Sequence, residues 1–270
     1  METKVVQHNE FLIEYYTNDM LAKSSIEMNL VWEPHILNFT TLYNKLYDIK
    51  NILDIGANFG YHSLFFSKEV KNKGYVYAFE PQIQNHILLS KNILHNNINN
   101  IITYNKACSN THSIVHMPVM NNVNCDVNMG DFTPNFNTNN MSPAVESVVI
   151  DQLNLPKIDL IKIDVQGWEC KVIEGMTQLI ERDKPTMIVE FEDSQLEKTN
   201  NTSYTLVQQL RRMGYYIFFL DYSYPSDHVC VHKDKLDDFN KLFEQNIFPH
   251  TMNNYVNHNI NLGINKKICV

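Results

Sequence analysis

Glycine and proline are scarce, 8 and 9 residues in a chain of 270. That excludes a collagen-like chain and a Pro/Gly-rich disordered one. No apolar run approaches the roughly 20 residues that a membrane-spanning helix needs. Positive charge is short too: 22 Lys and Arg stand against 30 Asp and Glu, a formal net charge of −8. A whole-chain nucleic-acid binder carries a basic footprint, so no nucleic-acid partner is expected. The opening stretch, Met1 to Glu10, has no apolar signal-peptide segment. The five cysteines, Cys108, Cys125, Cys170, Cys230 and Cys269, include no Cys-x-x-Cys pair and match no zinc module. They read as reduced, structural thiols, and the expected location is a reducing cytoplasm.

What is present is a core. Hydrophobic residues make up 44% of the chain, enough for one sizeable core with small appendages. Five short apolar runs recur: 51–55, 75–79, 101–104, 158–163 and 186–189. Runs of this length suit strands buried on both faces of a parallel sheet. Helical spacing lies between them. Tyr61, Leu64 and Phe65 share a face, as do Ile83, Ile87 and Leu94, and as do Trp168, Val172, Met176 and Leu179. Strand and helix in alternation predict a doubly wound α/β fold. A further helix is predicted over 203–213, with Gly214 at its C-terminal end. Strands over 215–220 and 228–232 follow, paired as an antiparallel hairpin at the sheet edge.

Two segments break this rhythm. Residues 1–45 carry two helical patterns, Phe11, Leu12, Tyr15 and Tyr16, then Phe39, Leu42, Tyr43 and Leu46, and are expected to form a helical N-terminal cover. Residues 46–235 would be the main domain, and 236–270 a C-terminal helix and tail. Residues 110–143, rich in Asn, Thr, Pro and Met, hold a strand-like Ser113–Met117 followed by a loop, the expected acceptor loop.

Chemistry gathers at the strand ends. The first run leads into Asp54-Ile55-Gly56-Ala57-Asn58-Phe59-Gly60. Gly56 permits a tight turn and close approach of a ligand to the main chain. Gly60 sits where a helix begins, and free N–H groups there favour a polar or anionic ligand. Asp54 offers a carboxylate to a cationic ammonium group. Twenty residues after Gly60, Glu80 ends the second run, placed to accept both hydroxyls of an adenosine ribose. A dinucleotide site would need Gly-x-Gly-x-x-Gly, but position 58 is Asn and no third glycine falls in register. S-adenosylmethionine has no pyrophosphate and does carry an ammonium. Asp164 ends the fourth run and could accept a proton, orient a hydroxyl or hold a divalent metal, or simply cap the next helix. Glu190 ends the fifth and could share the task. His62 follows the glycine turn, placed either as a general base or as a buried structural imidazole. The pairs His112/His116 and His228/His232 lie on strand-like segments, where such residues stand roughly 13 Å apart, so neither alone makes a metal site.

These motifs together resemble the FkbM-type family of S-adenosylmethionine-dependent methyltransferases. The likeness rests on Asp-Ile-Gly-Ala-Asn-Phe-Gly-Tyr-His-Ser, Ala-Phe-Glu-Pro, Asn-Lys-Ala-Cys-Ser, Asp-Leu-Ile-Lys-Ile-Asp-Val-Gln-Gly-Trp-Glu and Ile-Val-Glu-Phe, in order over about residues 50–195. The resemblance implies a class I, Rossmann-like methyltransferase fold: a mostly parallel seven-stranded sheet with one antiparallel C-terminal strand. It implies O-methylation of a sugar or other hydroxyl, with S-adenosylmethionine as cofactor. By position, Asp54, Gly56, Ala57, Asn58 and Gly60 would line the methionine end. Glu80 with Pro81 would hold the ribose, Asn105, Lys106 and Ala107 would lie near the adenine, and Asp164 would face the methyl group. Trp32-Glu33-Pro34 also resembles a family feature, and Glu33 would fold back over the cofactor. The family has Glu where this chain has Gln166, which is no anionic ligand, so a divalent metal is unsupported. The expected partner is a small-molecule or glycan acceptor. Rival readings are a nicotinamide-dependent oxidoreductase and a methyltransferase-like module that binds without catalysing. Nucleic-acid methylation would call for a basic groove.

Overall fold

The computed structural model describes residues 1–117, 143–220 and 226–244. From the N-terminus, strands β1 (Thr3–His8) and β2 (Phe11–Tyr16) lead through a short helical turn, α1 (Met20–Ala22), into α2 (Pro34–Tyr47). Alternation then begins with β3 (Ile52–Ile55), α3 (Tyr61–Val70), β4 (Val76–Phe79), α4 (Ile83–His95) and β5 (Ile101–Tyr104). Three small strands interrupt it: β6 (Ala107–Cys108), β7 (Ser113–His116) and β8 (Ala144–Val148). It resumes with β9 (Leu160–Ile163), α5 (Glu169–Glu174), α6 (Thr177–Asp183), β10 (Thr186–Phe191), α7 (Asp193–Leu196) and α8 (Ser203–Arg212). Strands β11 (Tyr215–Phe219) and β12 (Ser226–His232) and helix α9 (Leu236–Glu244) complete the described chain.

The main sheet has the order β11-β12-β10-β9-β3-β4-β5, and β12 runs against both its neighbours. The other strands are mutually parallel, as the sequence predicts for a doubly wound sheet. Leu53, Ile161, Ile163 and Val189 point to one apolar core, under α5, α6 and α8. Ile52, Leu160 and Ile188 point to another, under α2 and α3. All the parallel strands end on one rim, and antiparallel β12 starts there, which brings Asp227 opposite Glu190. No helix among the described residues is long and apolar enough to cross a membrane.

Several elements differ from their sequence patterns. The predicted first helix of the N-terminal cover is a hairpin: β1 and β2 pair antiparallel, with His8 opposite Phe11. Phe11, Ile13 and Tyr15 are buried on one face; on the other Leu12 is exposed while Glu14 and Tyr16 lie against α4, so strand pairing and not a helical period of 3.6 sets the faces. The second pattern is helical as expected, and α2 runs to Tyr47, past the expected boundary at 45. On α4 the expected inner face is the outer one: Ile83, Ile87 and Leu94 are exposed, Leu94 by 74%. Leu88, Leu89, Asn85 and Asn92 are buried instead. Asn92 belongs inside because its amide serves the hairpin: it accepts from the Glu14 N–H at 2.6 Å and donates to the Phe59 carbonyl at 2.8 Å. The face of Trp168, Val172, Met176 and Leu179 is buried as predicted, but α5 and α6 are separate, with Gly175 between them. A Cβ at Gly175 would lie 2.1 Å from the Ser109 carbonyl oxygen. Where a regular sheet would add a helix after β5, the chain builds the small sheet β6-β8-β7. The expected acceptor loop, beyond Met117 and before Pro143, lies outside the described residues, as does the tail after Glu244.

Candidate active site

The glycine turn is built by backbone geometry. Gly56 has φ +83°, and a Cβ there would sit 1.8 Å from the Asp164 carbonyl oxygen, so the exits of β3 and β9 nearly touch. Asn58 and Gly60 also adopt positive φ, +52° and +91°. The Gly56 and Ala57 N–H groups donate to the Phe79 carbonyl at 2.9 and 3.0 Å, which ties the turn to the end of β4. One residue on, the Glu80 carboxylate clips the turn: Oε2 accepts from the Asn58 N–H and Oε1 from the Gln82 N–H, each at 2.8 Å. Each oxygen keeps a second lone pair. Burial pushes this carboxyl up to about 7, against the pull of the two N–H donors. Asn105 donates to the carbonyls of Glu80 and Pro81 at 2.9 and 3.0 Å, and the Tyr104 ring stacks on Phe79.

The second part of the site is a charge cluster on the α2–α3 side of the rim. Lys162 sits mid-strand in β9, 2% exposed, and its Nζ donates to Asp164 Oδ2 at 3.0 Å. Asp54 is fully buried; Ser63 Oγ donates to its Oδ2 at 2.5 Å, and Oδ1 meets no hydrogen-bond partner. Gln166, at φ +53°, donates from Nε2 to Asp164 Oδ1 and to Glu190 Oε2, both at 3.1 Å. Burial raises the Asp164 carboxyl, but the Lys162 ammonium together with hydrogen bonds from Lys162, Gln166 and Glu190 outweighs it and holds the group below the usual carboxylate range. Glu190 goes the other way: burial and the charge of Asp164 push it well up. Burial and mutual repulsion thus favour a single negative charge on the pair, held on Asp164 beside the ammonium.

A lid of N-terminal residues covers the cluster. The Trp32 ring stacks on Phe59 at 5.8 Å, and its backbone N–H donates to the Tyr61 hydroxyl at 3.0 Å. This seats Glu33, in a left-handed conformation at the start of α2, with Oε2 3.2 Å from His62 Nε2. That approach is not aligned as a hydrogen bond, and burial pushes the imidazole well down from its ordinary value, with Lys162 and His35 adding to the effect. Burial, then the nearby Asp227 charge, pushes the Glu33 carboxyl well up. His35 Nε2 and Asp227 Oδ2 meet at 2.7 Å.

The structure thus brings Glu33, Asp54, His62, Asp164 and Glu190 into one cluster, and Glu80, Pro81 and Asn105 beside the turn formed by Gly56, Ala57, Asn58 and Gly60. Two expected residues turn elsewhere: Lys106 pairs with Glu146, and Ala107 packs with Val115, Met117 and Val145 in the small sheet. Asp164 does not cap α5; the Glu169 carboxylate takes the Val165 and Gly167 N–H groups, both at 3.2 Å. Sequence reasoning gave no role to Lys162, His35 or Asp227. Lys162 had a signal, a lone charge inside the apolar run Leu160–Ile163. His35 and Asp227 had none, because their pairing depends on β12 inserting beside β10. Among the described residues, no group of three or more His, Cys, Asp or Glu side chains is arranged to hold a metal ion.

A family model described as the methyltransferase FkbM domain matches residues 54–217. No curated protein matches the chain. Among solved structures, methyltransferase FkbM from Methylobacillus flagellatus is 16% identical with a TM-score of 0.48; the likeness covers 68% of this chain but only 44% of that one. A putative O-methyltransferase from Klebsiella pneumoniae is 14% identical, with coverage of 75% and 81% and a TM-score of 0.45. A putative rRNA methylase from Clostridium thermocellum is 11% identical, with coverage of 73% and 94% and a TM-score of 0.47.

Proposed function

We propose, from the premise that the chain belongs to the methyltransferase FkbM domain family, that it methylates a hydroxyl of a sugar or glycan with S-adenosylmethionine as donor. One observation carries this reading: the Asp164 main chain stands directly against the glycine turn, and Gln166 ties its carboxyl to that of Glu190. Bound there, the cofactor would supply an electrophilic methyl group on a sulfonium.

The residues fit that group. The unpartnered Oδ1 of Asp54 is a buried acceptor awaiting a donor, which an ammonium provides. Glu80 keeps lone pairs for two ribose hydroxyls, and Asn105 braces the Glu80–Pro81 main chain beside an adenine ring. Asp164 accepts the acceptor hydroxyl's proton as the new C–O bond forms. A carboxylate held ionised is a weak base, but the proton becomes acidic only in that transition state, so a weak base suffices. Glu190, pushed toward its protonated form, would donate to or orient the acceptor. Trp32 and Glu33 close the site against water, with His62 wedged behind Glu33. Holding the two reactants in line supplies much of the rate.

The acceptor class follows from the charges. Glu33, Asp164, Glu190 and Asp227 gather at the rim; the Asp164 carboxylate would repel a polyphosphate backbone, and Glu33 and Glu190, pushed toward their neutral forms, offer it no cation. Neutral hydroxyls can donate to such a surface. Calorimetry with S-adenosylhomocysteine and with NAD is the first test: binding of the former alone is expected, and binding of NAD alone overturns the reading. Transfer of a tritiated methyl group to a panel of neutral glycans is the second. Label appearing in RNA and in no glycan would sink the acceptor assignment.

A further inference from the structure

We propose that Lys162 is a positioning residue, which keeps the Asp164 carboxylate ionised and aimed at the cofactor's sulfonium; the proposal rests on the reading of Asp164 given above. An ammonium buried mid-strand among apolar neighbours is costly unless it is paired. Lys162 has that pairing, with Nζ 3.0 Å from Asp164 Oδ2, two residues further along the same strand exit. Residues two apart on a strand share a face, so the lysine reaches up beneath the carboxylate and pins it from below. Gln166 pins its other oxygen from above.

The surrounding charges make the lysine necessary. Facing it are Asp54 from β3, His62 from α3, Glu33 from the start of α2 and Asp227 from β12, with His35 beside His62 and Glu190 beside Asp164. Glu80 and Glu169 lie near Asp164 from the ends of β4 and α5. Nearly all of these are acids. Burial works against the lysine's charge, yet Asp164, Asp54, Glu33 and Asp227 together push its ammonium up, so it stays protonated. Without it, burial would drive Asp164 toward its neutral form, opposed only by the hydrogen bonds from Gln166 and Glu190. An opposite charge at this range typically lowers a carboxyl by about 1–3 pH units.

S-adenosylmethionine and S-adenosylhomocysteine differ by one methyl group and one positive charge, so the ratio of their Kd values reads the charge beside the sulfur without any acceptor present. Calorimetric titrations of both ligands across pH are the experiment. For the wild type, the preference for S-adenosylmethionine should persist down to the acid pH at which Asp164 protonates. In Lys162→Met that limb should move up by about 1–3 pH units, and Lys162→Arg should restore it. Glu33 and Glu190 ionise only at higher pH and would add a separate, upper rise. A limb unmoved in Lys162→Met, with S-adenosylhomocysteine still bound, overturns the proposal. Should Lys162→Met not fold, the arginine variant decides: a limb displaced despite the retained charge overturns it. Asp164→Asn separates this failure from failure of the functional reading. It should abolish the lower limb and leave only the upper rise of Glu33 and Glu190, and if the lower limb survives there, the placement of Asp164 itself is wrong.

Discussion

Successive side chains along β3 and β9 go to opposite faces, and those faces have unlike interiors. On one, Leu53, Ile161 and Ile163 pack against Val172, Leu206 and Leu210. On the other, Asp54 and Lys162 stand side by side in register, both buried. The apolar face is held by volume: any residue of similar shape serves, and the loss on truncation is a cavity. The second face is apolar lower down, at Ile52, Leu160 and Ile188, and only toward the rim is it held by charge balance, one buried cation among several buried acids. The first face builds the rim; the second gives it chemistry.

That division can be broken by experiment. Asp164→Asn should lower turnover by about 10²–10⁴-fold, the usual range for a positioned proton acceptor, in a protein that still folds, with its melting temperature lowered because Lys162 loses its charged partner. Ile161→Ala, one residue before Lys162, should do the converse. It should cost about 2–5 kcal/mol in denaturant titration with S-adenosylhomocysteine affinity unchanged in the folded protein. If Asp164→Asn melts the fold, or Ile161→Ala selectively ends binding, the faces are not separate.

Gly56→Ala tests where they meet. Its Cβ would lie 1.8 Å from the Asp164 carbonyl oxygen at φ +83°. A positive φ alone costs a non-glycine residue about 1–3 kcal/mol, and the β3 and β9 exits must also part. Weaker cofactor binding together with lower stability is expected, and wild-type values for both would show that the exits are free to move.

Protons supply a gentler probe. Burial raises Glu169 from its ordinary 4.5 to about 7, and its Oε2 has no hydrogen-bond partner. Its folded value lies above its unfolded one, so the stability it contributes is full below 4.5 and is lost as pH rises through about 7. The melting temperature should fall over that interval, and Glu169→Gln should flatten part of the fall. An identical slope in the variant would remove Glu169 from the account. Smallest of all, Leu94→Ser on the exposed side of α4 should change stability by less than about 0.5 kcal/mol. A large loss would mean that this face is covered.

Much of the fold was legible because buried parallel strands leave continuous apolar runs, and five such runs matched β3, β4, β5, β9 and β10. Asp54, Glu80, Asp164 and Glu190 stood out as acids at or near the ends of those runs. Periodicity failed where two periods fit one segment. Phe11 and Tyr15 are four apart, which suits a helix, but they are also an even number apart, which suits a strand, and pairing with β1 decided for the strand. It failed again on α4, where Asn92 turned inward because the hairpin supplied partners for its amide.

The sequence by itself determined which residues could do chemistry and at which strand ends they would stand, since both follow from local pattern. Only the tertiary structure decided which acids keep their charge. His35 and Asp227 meet across 192 positions of chain. Whether Asp164 or Glu190 gives up its proton depends on the distance of each from a single buried ammonium. Coulomb energy and burial act through space, and spacing along the chain carries no record of either.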